Sequence, residues 1–121
     1  GAHATQLCDA CFSTHLLGHW VRERQALPLE QAVWRLTGHP RRAFRIPGRG
    51  LVQEGFHADL VAFDPATVGC TPVERVADQP GGADRLVVRS TGVEHVWVNG
   101  VATRRAGEDV PGAAPGRLLG A

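Results

Sequence analysis

The sequence has 121 residues, 43% of them hydrophobic, and sets 13 basic side chains against 12 acidic ones for a net charge of +1. A chain of that size buries roughly 65% of its unfolded surface, enough for one modest core, and no apolar run approaches the roughly 20 residues that span a membrane as a helix. Every basic residue is arginine and acids are interspersed among them, so the balance excludes the basic patch of a nucleic-acid binder.

Gly1 to Thr5 reads as loop. Ser13 or Thr14 caps a helix that runs to about Gln25, with Phe12, Leu16 and Trp20 as its apolar stripe and Leu17 and Val21 beside them. A second helix opens at Pro28, whose missing N–H costs nothing in a first turn. Leu29, Ala32, Val33 and Leu36 give it one buried face, and Gly38 and Pro40 end it. Arg41 to Phe44 makes one further helical turn before Pro47-Gly48 hands the chain to strands.

The segment from Gly50 to Asp64 reads as a short strand, a turn at Glu54-Gly55 and a second strand. In that second strand Leu60, Val61, Ala62 and Phe63 are apolar without alternation, which predicts cover on both faces. Pro65, Pro72 and Pro80-Gly81-Gly82 then punctuate a stretch of weak periodicity that reads as one long loop lying across another surface. Leu86 to Ser90 and Val93 to Val98 are strands, and Asn99-Gly100 is the signal for a type I′ hairpin into Val101 to Arg104. The tail from Ala106, rich in Gly, Ala and Pro, runs over the surface.

Three cysteines do not make a disulfide framework and favour a reducing compartment, hence a cytoplasmic location. Cys8, Cys11, His15 and His19 are metal-ligand residue types. On one helix, however, they spread along about 16 Å of axis, too long a line to surround one ion. At most His15 and His19, one turn apart, could share a metal, and without further ligands the four read instead as helix positions facing a core or a larger body. Cys8-Asp9-Ala10-Cys11 lacks the preceding strand of a thioredoxin-like redox motif.

The segment Gly50, Leu51, Gly55, Ala58, Asp59, Leu60, Phe63, Asp64 resembles the G-x-I-x-x-G-x-x-A-D-L-V-x-F-D pattern near the C-terminal end of amidohydrolase-superfamily enzymes. Val96-Trp97-Val98-Asn99-Gly100-Val101 is similar to their V-x-V-N-G-V hairpin. Gly1-Ala2-His3-Ala4, Cys8-Asp9, the run His15 to Arg24, Pro80-Gly81-Gly82-Ala83-Asp84-Arg85 and Pro115-Gly116-Arg117-Leu118-Leu119 resemble one branch, the N-acyl-D-amino-acid deacylases. Cys11, where serine is usual, and Pro28, where an N-cap residue is usual, depart from it.

The resemblance implies an α+β fragment. Residues 1–47 would be the last loop and two outer helices of a TIM-like barrel, and residues 48–121 the strands of a small antiparallel β-sandwich with a long Pro/Gly loop and a surface tail. It implies a zinc-dependent hydrolase of the amide bond of N-acyl-D-amino acids, its metal ligands held in the remainder of the parent polypeptide. The chain alone would then be catalytically incomplete, with no metal ligand or cofactor of its own and neither nucleic acid nor membrane as partner. His3, just beyond where the family's aspartate would stand, and Arg22 are the candidates for contact with substrate or with the residues around it. A relative of dihydroorotases or hydantoinases and a non-catalytic β-rich binding module are the alternatives.

Overall fold

The computed structural model describes residues 11–119. Helix α1 (Phe12–His15) continues directly into a π-helical segment (Leu16–Glu23), and α2 (Leu29–Leu36) and α3 (Gly38–Phe44) follow. The strands are β1 (Leu60–Phe63), β2 (Gly69–Cys70), β3 (Glu74–Val76), β4 (Arg85–Val87), β5 (Ser90–Thr91), β6 (Val93–Val98), β7 (Val101–Arg105) and β8 (Glu108–Asp109). One antiparallel sheet has the order β1-β6-β7-β8, while β2 pairs with β5 and β3 with β4. Among the described residues no helix is long and apolar enough to cross a membrane.

Three helical expectations are corrected. Cys11, not Ser13 or Thr14, occupies the N-cap of α1, and the Thr14 hydroxyl donates to the Cys11 carbonyl at 3.2 Å. Two members of the predicted stripe face outward, Phe12 at 66% and Trp20 at 45% exposed, while Leu16 and Val21 pack on the core and Thr14, Leu17 and Gly18 are buried. The π winding closes i→i+5 bonds and so shifts the face that a 3.6-residue period predicts. Gly38 and Pro40 open α3 rather than ending α2, because Pro40 sits in a first turn whose N–H groups have no helical partner. The break between α2 and α3 is Thr37, at φ −128° and ψ −81°, whose hydroxyl donates to the Val33 carbonyl at 2.7 Å.

The strand expectations hold for β6 and for the hairpin, where Asn99 and Gly100 have φ of 49° and 80° as a type I′ turn requires. Among the described residues no strand precedes the Glu54-Gly55 turn. The predicted long loop contains β2, β3 and a 3₁₀ turn (Pro80–Gly82), pieces of two or three residues that are too short to carry a period. β1 forms where expected, but Leu60 and Val61 are 37% and 57% exposed. Among the described residues it is an edge strand of the sheet, so one side of the apolar run lacks the cover the sequence predicts.

The core therefore lies beside β1 rather than around it. Leu17, Ala32 and Val68 are buried, and Leu16, Val21, Leu27, Leu29, Val33, Leu36, Phe63 and Val93 pack on them. The predicted α2 face, Leu29, Ala32, Val33 and Leu36, is the one used. Since Phe63 is the end of β1 that reaches this core, Phe63→Ala is expected to cost about 3 kcal/mol, while exposed His57→Ala costs well under about 1 kcal/mol. Equal losses in urea melts of the two variants would remove Phe63 from the core.

Candidate functional site

The π-helical segment lies against the turn that leaves β1. Gly18 makes that approach possible, because a Cβ there would stand 2.6 Å from the Val68 carbonyl oxygen and 3.0 Å from the Gly69 Cα. One turn on, Arg22 reaches over the same turn. Its Nη1 donates to the Val68 carbonyl and, at 3.4 Å, to the Pro65 carbonyl, and its Nη2 lies 3.5 Å from Glu23 Oε1. A cleft of about 220 Å³ opens beside it, lined by His15, Gly18, His19, Arg22, Glu23, Gly69, Cys70 and Thr91.

Within the cleft His15 and His19 stack with ring centroids 4.9 Å apart, and His19 Nδ1 is 2.9 Å from Glu23 Oε2. The hydrogen bond from His19 lowers the Glu23 carboxyl below its ordinary range, and the nearby Arg22 charge adds to the effect. Glu23 is therefore an ionised acceptor and the ring nitrogen facing it carries the proton. Cys70 Sγ lies 3.2 Å from the Thr14 hydroxyl and 3.5 Å from the Cys11 carbonyl, which ties β2 to α1.

A second polar cluster joins the segments before and after β1. Asp59 accepts from the Arg49 guanidinium through Oδ2 and, at 2.8 Å, from the Asn99 backbone N–H through Oδ1. Arg49 Nη2 also donates to Asn99 Oδ1 at 2.7 Å, and Asn99 Nδ2 donates to the Pro115 carbonyl at 2.8 Å. This is a lock between the hairpin, the entry to β1 and the C-terminal tail.

Desolvation opposes ionisation of Asp59, but the Asn99 amide and the Arg49 guanidinium outweigh it and hold its carboxyl below the ordinary carboxylate range. The folded state thus binds this proton less readily than the unfolded chain. The resulting stability is complete above about pH 4 and is lost as pH falls through the lower, folded value. Urea midpoints measured from pH 6 downward should fall less steeply below about pH 4 in Asp59→Asn than in the parent sequence. Parallel declines would show that Asp59 makes no contribution to the acid limb.

Of the residues singled out in the sequence, His3, Cys8 and Asp9 lie outside the described residues. Arg22 holds backbone carbonyls of the turn after β1 and borders the cleft. Cys11 is the N-cap of α1, where its carbonyl accepts from the His15 backbone N–H at 2.9 Å. Sequence reasoning missed Glu23, Cys70 and Thr91 as neighbours of His15 and His19. Only the i, i+4 spacing of His19 and Glu23 could have signalled any of them. It also missed that Arg49, Asp59 and Asn99 converge, although each borders a turn or strand end.

A family model described as the amidohydrolase family matches residues 4–103. The chain belongs to the amidohydrolase family. It is 42% identical over 85 residues to a D-aminoacylase of Alcaligenes xylosoxydans xylosoxydans, covering 70% of this chain and 16% of that protein. It is 38% identical over 111 residues to an N-acyl-D-aspartate deacylase of the same organism, covering 88% of this chain and 20% of that one.

Among solved structures, a D-aminoacylase mutant in complex with CuCl2 superposes with a TM-score of 0.70 at 37% identity, over 88% of this chain and 20% of the other. An N-acyl-D-glutamate deacylase from Bordetella bronchiseptica, complexed with zinc and a phosphonate that mimics the tetrahedral intermediate, matches with a TM-score of 0.57 at 36% identity, over 79% of this chain and 19% of that one. This amidohydrolase chain thus spans 16–20% of the length of these curated relatives. Its mixed α and β elements match a fragment of the D-aminoacylase structure. Among the described residues no three His, Cys, Asp or Glu side chains come together as a metal-holding group. The donor set for the zinc seen in the glutamate deacylase is therefore not met by them.

Proposed function

We propose that this chain is the C-terminal part of a metal-dependent amidohydrolase that cleaves the amide bond of N-acyl-D-amino acids. Residues 1–47 complete the last loop and outer helices of its TIM-like barrel, and residues 48–121 are strands of its small β-sandwich. The observation that carries this reading is the match to D-aminoacylase over 88% of the chain, with a TM-score of 0.70 at 37% identity. The exposed apolar residues Leu51, Val52, Leu60 and Val61 support it, since a barrel and further strands would cover them. The remainder of the polypeptide would hold the zinc, which activates water against the substrate carbonyl. In this chain Arg22 would brace the turn after β1 against the helical side, and His3 would approach the substrate. The location is cytoplasmic, a reading supported by the odd count of three cysteines in the sequence.

The reading is tested by extending the reading frame upstream of Gly1 and expressing the longer product. With zinc it should hydrolyse N-acetyl-D-amino acids, whereas residues 1–121 alone should give no turnover above buffer. In the longer protein His3→Ala should lower kcat/KM about tenfold or more, and Arg105→Ala should not. An upstream frame without a His-x-His motif, or turnover by residues 1–121 alone, would overturn the proposal.

A further inference from the structure

The pair His15 and His19 has a feature that the deacylase reading does not use. The two rings already stand 4.9 Å apart. Two imidazoles bound to one tetrahedral ion at Zn–N distances of about 2.0–2.1 Å have centroids about 5 Å apart, so the pair has the spacing of two ligands of one metal. Glu23 Oε2 lies 2.9 Å from His19 Nδ1, which engages that nitrogen and leaves Nε2 as the one open to a metal. A carboxylate behind a ligating histidine is the arrangement that orients the ring and raises its basicity toward a metal.

His15 is exposed and its ring makes no hydrogen bond to any other described residue, so the ring can turn out of the near-parallel stack, at 18°, toward a shared ion. The cleft is open on one side and supplies the Thr91 hydroxyl and the Glu23 carboxylate as partners for metal-bound waters. Imidazole ligands select borderline ions such as Zn²⁺ over hard ions such as Mg²⁺ or Ca²⁺.

We propose that His15 and His19 form a two-histidine site for a borderline divalent cation of the Zn²⁺ class, with Glu23 as the positioning residue for His19 and water completing the coordination. The test of this site does not depend on turnover. Zn²⁺ is titrated calorimetrically at neutral pH into residues 1–121 carrying His3→Ala, which removes a competing histidine near the amino terminus. His15→Ala and His19→Ala should each weaken Zn²⁺ binding at least tenfold, and Glu23→Gln about tenfold. His95→Ala, at a histidine stacked on Trp97 in β6, should leave it unchanged.

NMR of the unsubstituted histidines supplies a readout that needs no variant at the site. His19 Nε2 and one ring nitrogen of His15 should shift together and saturate at one equivalent of Zn²⁺. Unchanged affinity in both His15→Ala and His19→Ala, binding abolished by His3→Ala alone, or ring nitrogens that do not shift on Zn²⁺ addition would each overturn the site.

Discussion

Gly92→Ala is expected to destabilise the chain by at least about 3 kcal/mol, the largest single-residue effect predicted here. Gly92 has φ of +67°, which costs an L side chain about 1 kcal/mol or more before any contact is considered. A Cβ at that position would also stand 2.4 Å from Val68 N, 2.6 Å from the Thr67 carbonyl carbon and 2.7 Å from Val68 Cα. All three are backbone atoms of a turn that cannot easily retreat. Val68 N–H donates to the Asp64 carbonyl at 2.9 Å, and the Asp64 carboxylate accepts from the Ala66 N–H at 2.9 Å and the Thr67 hydroxyl at 3.0 Å. Asp64 N–H itself donates to the Gly92 carbonyl at 2.9 Å, so the two segments are bonded at the point where the methyl would intrude.

Displacing that turn also moves Val68 within the core, where it is 1% exposed. With whole-domain stabilities of about 5–15 kcal/mol, the variant should melt at a much lower urea concentration. A loss under about 1 kcal/mol would mean that the two segments separate freely.

Gly18→Ala should cost about 2 kcal/mol, and Gly18→Val more, although the general rule for helices points the other way. In an exposed helix interior Gly→Ala gains about 1 kcal/mol from propensity alone. Here the added Cβ would meet the Val68 carbonyl oxygen at 2.6 Å, the Gly69 Cα at 3.0 Å and Arg22 Nη2 at 3.3 Å. The flexible Arg22 side chain can yield; the backbone at Val68 and Gly69 cannot without opening the core. Pushing the π-helical segment away would lengthen the bonds from Arg22 to Val68 and Pro65 and widen the cleft that holds His15 and His19. Chemical denaturation of Gly18→Ala beside Arg22→Ala separates overlap from the lost bonds. A Gly18→Ala protein more stable than the parent sequence would show that helix and turn are not in contact.

Both sites converge on residues 64–69, which the sequence presented only as a proline-marked departure from a strand. Much else was written locally. The face of α2 at Leu29, Ala32, Val33 and Leu36 follows from helical spacing, and the Asn99-Gly100 turn follows from two residues that tolerate positive φ. The family was legible in the order along the chain of the two segments that resemble it, Gly50 to Asp64 and Val96 to Val101.

What only the tertiary structure decided is where those elements face. The rotation of the first helix is set by Gly18 resting on Val68 and by π winding, so Phe12 and Trp20 turn outward against the prediction of a 3.6-residue period. The half-exposure of β1 depends on whether another strand or layer lies beside it, which no apolar run encodes. The pairing of Arg49 with Asp59 and Asn99, and the meeting of the helical His15, His19 and Glu23 with Cys70 and Thr91, join residues 10 to 76 positions apart. Such contacts depend on long-range packing, whereas a sequence pattern reports only the neighbours that one helix turn or one strand repeat brings together.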